Sequence, residues 1–234
     1  MSELYHKFLS SGFGELNKAS RQHIIDLYRH NYGRFLPKNK AVKILDIGSG
    51  MGQFLEFLAE EGYQDILGVD VSKEAVEYCL ERGISRVKLI SDLRNFLVGS
   101  AMYDLIVLND VIEHFPREEV LPILSAIYEK LNAGGAVLVK TGNLASLVGV
   151  KICYNDFTHQ SGFTEFSLAQ VLKFSGFQDM VIYPFVFPKN RLTRVIRWLV
   201  QKKIHCFWKL IYFFEFTAPP RIVDELIFAV GGRK

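Results

Sequence analysis

Five short runs rich in valine, isoleucine and leucine, VKILDI (42–47), DILGVD (65–70), RVKLI (86–90), YDLIVL (103–108) and AVLVKT (136–141), alternate with helical patterns. A strand that reads apolar throughout must be covered on both faces, and parallel neighbours need a crossover between them. Helices meet both demands. The alternation therefore predicts the α/β class, a Rossmann-like, doubly wound, mostly parallel sheet with helices on both faces. Helices are expected at about 52–61, 72–82 and 117–131, with a short or irregular element near 92–99.

Beyond Gly142 the alternation loosens. Phe163 to Phe174 reads as a helix capped by Thr164 and ended by Gly176. Two further β-like runs, MVIYPFVF (180–187) and ELIFAV (225–230), would complete the sheet. Residues 191–216 would then be an insertion between them.

Composition narrows the function classes. A net charge of +3 from 28 basic and 25 acidic residues is too balanced to mark a nucleic-acid binder, and none is expected as a partner. The three cysteines, Cys79, Cys153 and Cys206, are far apart and form no C-x-x-C pair, so neither a disulfide framework nor a zinc-thiolate site is expected. No uninterrupted apolar run reaches the roughly 18 residues of a membrane span. A cytoplasmic location is the expectation.

DIGSGMG (46–52) stands where the first strand gives way to a helix. Its glycines let the backbone approach a ligand closely, and the helix start offers N–H donors. The dinucleotide pattern G-x-G-x-x-G fails, because Gln53 stands at the third glycine position. The P-loop pattern fails for want of a lysine after Gly52.

What remains is D-x-G-x-G-x-G after strand one, Asp70 in GVDVS ending strand two, and Asp92 in ISDL after strand three. Together these closely resemble the class I S-adenosylmethionine-dependent methyltransferases over roughly residues 40 to 180. The resemblance implies a seven-stranded sheet of order 3-2-1-4-5-7-6 and S-adenosylmethionine as cofactor. It places Asp46, Gly48, Ser49, Gly50 and Gly52 around the methionine part of the cofactor, and Asp70 with Val71 at its ribose. It further places Asp92 and Leu93 at the adenine, and Asn109 along the cofactor after strand four. Gly134-Gly135 matches the family's turn into strand five. The implied division is an N-terminal helical lid (1–38), a core (39–190) with an acceptor loop near 143–165, a helical insertion (191–216), and a final strand returning to the sheet (217–234).

The stretch NDVIEH (109–114) ends strand four, and helical spacing would put Asp110, Glu113 and His114 on one face of a turn. With His159 downstream, D-x-x-E-H looks like the carboxylate and histidine set of small-RNA 2′-O-methyltransferases, and quinone-pathway O-methyltransferases carry a related pattern. That likeness implies a divalent metal, Mg or Mn, held by Asp110, Glu113, His114 and His159. Without a metal, His159 or His114 would serve as base for a hydroxyl, with Asp156 orienting His159, while Glu113 and His114 line the cofactor. The segment DFTHQSGFT is similar to small methyltransferases of surface-polysaccharide and nucleotide-sugar modification. The resulting expectation is O-methylation of a sugar hydroxyl in a polysaccharide or glycolipid precursor. The alternatives are a quinone-like phenol, an RNA ribose, or a non-catalytic cofactor-binding subunit.

Residues 191–216 carry a polar stripe, Arg194, Arg197, Gln201, His205 and Lys209, on an otherwise apolar helix. Such a helix needs cover beyond one surface. The expected covers are the core, a second copy in a homodimer, or peripheral contact with the inner face of a membrane. The aromatic-rich Tyr5 to Tyr32 segment reads as part of the lid, with Tyr28 and Tyr32 one helical step apart for packing.

Overall fold

Strand β1 (Lys43–Ile47) lies inside a seven-stranded sheet whose order is β3-β2-β1-β4-β5-β7-β6 in the computed structural model, which describes residues 18–189, 192–216 and 218–234. It pairs with β2 (Asp65–Asp70) and β4 (Tyr103–Asn109), which in turn pair with β3 (Val87–Leu89) and β5 (Leu131–Gly142), all parallel. Strand β7 (Leu226–Gly232) enters antiparallel between β5 and β6 (Gln178–Pro184). The sequence-based order and the mixed direction of the sheet are as observed.

Period-two alternation along the strands sends neighbouring side chains into two separate cores. Leu45, Ile106, Leu108, Val137 and Val139 meet α4 (Leu93–Gly99), α5 (Arg117–Glu129) and α7 (Glu165–Phe174) on one face. Ile44, Leu105, Val107 and Leu138 meet α1 (Lys18–Tyr32) and α2 (Gln53–Glu60) on the other. Each fully buried side chain of this size contributes about 1.5–3 kcal/mol, so both layers are needed to hold the sheet. On the second face Tyr32 is fully buried, its ring edge-on to Phe54, Phe185 and Phe228.

Three details depart from or refine the expectations. Strand β5 begins at Leu131, because the Gly134-Gly135 pair does not precede the strand but is absorbed in an irregularity of the β4 pairing, with Gly134 at φ 77°. A short helix, α6 (Gly149–Asn155), lies within the acceptor loop, where no regular element was expected. Thr164 does cap α7, through a capping box with Ser167. The remaining elements are α3 (Lys73–Glu81) and α8 (Leu192–Phe216). Of the expected lid, residues 1–17 lie outside the described residues, as do 190, 191 and 217.

Strand order reverses between β1 and β4, and in open α/β sheets the crevice at the carboxyl ends of such strands is the ligand site. Both DIGSGMG and NDVIEH end strands there.

Candidate active site

The chain leaves β1 through Gly48, Gly50 and Gly52, all in the left-handed region at φ 67°, 51° and 77°. Only glycine adopts this conformation without strain. Close approach matters as much: a Cβ on Gly48 would lie 2.4 Å from Val111 Cγ2, and one on Gly52 2.7 Å from Ile84 Cδ1. The loop is thus wedged between NDVIEH and the residues after α3.

Asp70 fixes the loop from the neighbouring strand. Gly50 N donates to its Oδ2 and Ser72 N to its Oδ1, each at 2.8 Å. Asp70, Val71, Asp46, Ser49, Leu93 and Asn109 all line one cavity of about 480 Å³, together with Gly48 and Gly50. Asp46 Oδ2, Ser49 Oγ and Asn109 Nδ2 are buried without a protein hydrogen-bond partner. Leaving such atoms unsatisfied costs about 1–3 kcal/mol each, so their convergence marks a site for a polar ligand. Burial, with the charge of Asp70 added, holds the Asp46 carboxyl well above the usual carboxylate range.

Asp92 stands apart from this set. It is exposed, accepts from Asn95 N at 2.8 Å as the N-cap of α4, and is not among the residues that line the cavity. Its neighbour Leu93 does reach the cavity.

NDVIEH is not one helical face. Asp110 takes a left-handed φ of 56°, and only Ile112–His114 form a turn of 3₁₀-helix. Asp110 and His114 still line the cavity, while Glu113 is turned away from it. Asp110 pairs with the buried Lys140 of β5, and Glu113 accepts from Thr141 Oγ1 at 3.0 Å. Burial and the charge of Asp110 push Glu113 up to about 8, against the opposing pull of its hydrogen bonds and Lys140. Lys140 itself is drawn down by burial, but Asp110 outweighs this and raises it.

The raised Glu113 has a consequence for stability. A carboxyl held protonated in the fold favours folding below its ordinary 4.5, and that contribution is lost as pH rises through about 8. In Glu113→Gln, which stays neutral, thermal melts between these pH values are expected to show a flatter decline than the wild type. An unchanged slope would mean that another group titrates.

His114 points into the cavity mouth beside Thr158 and Gln160. Thr158 Oγ1 donates to Asp156 Oδ1 at 2.7 Å and lies 2.9 Å from His114 Nδ1. A hydroxyl has one proton to give, and here the carboxylate takes it. With that proton directed to the carboxylate, the Thr158 oxygen is an acceptor for His114 Nδ1–H, and the Thr158 backbone adds a further hydrogen bond that favours the charged imidazole. His159 donates from Nδ1 to the Cys153 carbonyl at 3.1 Å. Burial and the neighbouring His159 lower His114, so its imidazole is neutral at physiological pH. Burial works against Asp156, but its bonds from Thr158 and the nearby imidazoles keep it below the ordinary value.

The residues expected to hold a metal separate into two groups. His114 and His159 meet at 4.8 Å between ring centroids. Asp156 joins them, with one ligand atom from each of the three within 4.8 Å of the others. Asp110 and Glu113 do not: Lys140 claims the first carboxylate, and the second is turned to Thr141. Asp156 reaches His114 through Thr158, not His159 as the spacing suggested. The acceptor loop is tied to this turn by Gln160 N and Ser161 N, which donate to the Glu113 carbonyl.

Tyr28, Lys140 and Thr158 escaped sequence reasoning. Tyr28 lines the cavity from α1, and Tyr32 OH donates to Asn109 Oδ1 at 2.7 Å. A lysine inside the buried run AVLVKT was the one available signal for Lys140.

Comparison with known proteins fits this geometry. The family model described as "Methyltransferase domain" matches residues 20–181. The ubiquinone biosynthesis O-methyltransferase of Leptothrix cholodnii is 30% identical over 151 residues, covering 61% of this chain and 60% of that protein. The chain spans about half the length of the curated relatives it matches. Among solved structures, a SAM-dependent methyltransferase from Archaeoglobus fulgidus superposes with a TM-score of 0.70 at 21% identity, covering 98% of this chain and 99% of that one. Phosphoethanolamine N-methyltransferase 2 of Haemonchus contortus, in complex with phosphomonomethylethanolamine and S-adenosylhomocysteine, gives 0.60 at 19% identity over 98% of this chain and 60% of that one.

Proposed function

Because the chain belongs to the methyltransferase domain family and has the fold of S-adenosylmethionine-dependent methyltransferases, we propose that it methylates a hydroxyl oxygen with His114 as general base. The observation that carries this reading is the Asp156–Thr158–His114 chain of hydrogen bonds, which holds the imidazole in the wall of the cavity.

The donor end suits S-adenosylmethionine. Orphaned Asp46 Oδ2, Ser49 Oγ and Asn109 Nδ2 offer two acceptors and a donor to an amino-acid moiety, while Asp70 at the end of β2 suits ribose hydroxyls. Ile90 and Leu93 form an apolar wall for a base. When bound, the cofactor supplies an electrophilic methyl carbon on a sulfonium. The chain's own work is to hold the acceptor in line, keep water out and remove one proton. His114 takes the hydroxyl proton, and Thr158 with Asp156 steadies the imidazolium that results.

A sugar hydroxyl, in a polysaccharide or glycolipid precursor, is the acceptor class we favour over a phenol. Thr158, Gln160 and Asp110 ring the mouth with hydrogen-bonding groups, which match a polyol better than a flat ring. The name of the Leptothrix relative supports a phenol as the other acceptor. A second reading of the base is a divalent cation held by His114, Asp156 and His159, whose donor set suits such an ion. In that case the ion would lower the hydroxyl's affinity for its proton.

Calorimetric titration with S-adenosylhomocysteine, before and after EDTA, tests these readings together with elemental analysis. Binding is expected in the wild type, and Asp70→Ala is expected to weaken it by at least about tenfold, since charge-assisted bonds of this kind contribute roughly 1.5–3 kcal/mol. No binding would remove the methyltransferase reading. A stoichiometric metal that His159→Ala loses would select the cation, and transfer to nucleotide sugars but not catechols would select the sugar.

A further inference from the structure

Helix α8 leaves a long apolar strip exposed. Several of its hydrogen-bonding side chains face the protein: Trp208 Nε1 donates to the Ala145 carbonyl at 3.1 Å, Lys209 Nζ to the Arg221 carbonyl at 2.5 Å, and His205 lies 3.9 Å from Asp224, while Arg197, Gln201, Lys202 and Lys203 are exposed. Ile196, Val200, Phe207, Leu210 and Phe214, one helical step apart with Lys203 among them, are exposed, Phe207 to 64% and Phe214 to 77%. Soluble surfaces rarely leave so continuous an apolar strip uncovered.

We infer that this strip, with the exposed residues of α6 and its loop, is a docking surface for an anionic lipid bilayer. Charge selects the occupant. On its exposed side α8 carries Arg197, Lys202 and Lys203 against the single acid Glu215. A second copy seated on the strip would desolvate Lys203 in mid-seam with no carboxylate to meet it, whereas at a bilayer the lysine stem lies along the apolar surface and its ammonium reaches phosphate. The helix lies on the membrane and does not cross it: no helix among the described residues is long and apolar enough to span.

A second apolar element adjoins the first. Trp208 and Tyr212 both reach the Ala145 carbonyl, in the segment leading into α6, where Tyr154 is 81% exposed and Phe157 99%. Phe157 stands between Asp156 and Thr158, so the surface that meets lipid continues into the loop that orients His114. Docking would set the cavity mouth against the bilayer, where an amphiphilic acceptor is found. This last step rests on the proposed function; the docking itself does not.

Flotation with vesicles tests it. The protein is expected to rise with vesicles of phosphatidylglycerol and phosphatidylcholine, to stay behind with phosphatidylcholine alone, and to release as salt is raised. Each cation near such a surface changes partition by about fivefold, so Lys202→Glu with Lys203→Glu should weaken binding by at least about tenfold. Phe207→Ser with Phe214→Ser should weaken it as well, with an unchanged melting temperature as the control for folding. Absence of binding to anionic vesicles would overturn the inference, as would equal binding to neutral ones. So would a dimer in sedimentation that the two serine substitutions make monomeric while vesicles are ignored. Since the readout needs no methyl transfer, docking and the acceptor reading fail separately.

Discussion

His114→Ala is expected to lower kcat for the hydroxyl acceptor by about 10²–10⁴-fold, the range a positioned acid–base group supplies, while S-adenosylhomocysteine affinity stays within a few fold. The pH profile separates a base from a packing residue. A base acts in its neutral form, so kcat/KM in the wild type should rise with pH through the His114 pKa and be level by neutrality. Burial and His159 hold that pKa below the ordinary 6.5, so the rising limb lies on the acid side of it. The alanine variant should lose the limb. Thr158→Val, which deprives Nδ1–H of its acceptor, should cost about tenfold in kcat, the worth of one buried hydrogen bond. A His114→Ala variant with near-normal kcat would hand the proton to His159 or to a metal-bound acceptor.

Gly48→Ala is expected to impair both stability and cofactor binding. A left-handed φ costs an L-residue about 1–2 kcal/mol, and the new Cβ, 2.4 Å from Val111 Cγ2, adds an overpacking cost of about 1–3 kcal/mol. Together these predict a loss of roughly 2–5 kcal/mol in chemical denaturation, and S-adenosylhomocysteine binding weaker by more than tenfold. Val111→Ala provides the check. In the double variant the steric part should be relieved and the backbone part retained, giving a coupling of about 1–3 kcal/mol. Strict additivity would mean that the loop moves instead of clashing.

The sheet was legible because each parallel strand carries its own apolar run, and the glycine loop because three left-handed turns demand glycines at fixed spacing. Most of what escaped was decided by residues far apart in sequence. Helical spacing grouped Asp110 with Glu113 and His114, but Asp110 takes a positive φ and pairs with Lys140, thirty residues on, which no local pattern announces. The resemblance alone places Asp92 at the adenine, and the hydrogen bond it accepts from Asn95 N, which makes it the cap of α4, is a local contact that the motif does not announce. For 191–216 the polar stripe was visible, yet which side of the helix meets the body depends on Ala145, Arg221 and Asp224.

The hydrogen bonds that Asp70 accepts from Gly50 and Ser72 bear on how fast a ligand binds as well as how tightly. A glycine loop left to itself samples many shapes, and a ligand would have to wait for the one that fits. Here a carboxylate from the adjacent strand holds the loop's middle, so the conformational entropy is surrendered during folding, before any ligand arrives. Association should therefore approach a single diffusive step, with a rate that hardly senses the flexibility of the glycines. Differences in affinity among loop variants that keep Asp70 would then be found in dissociation.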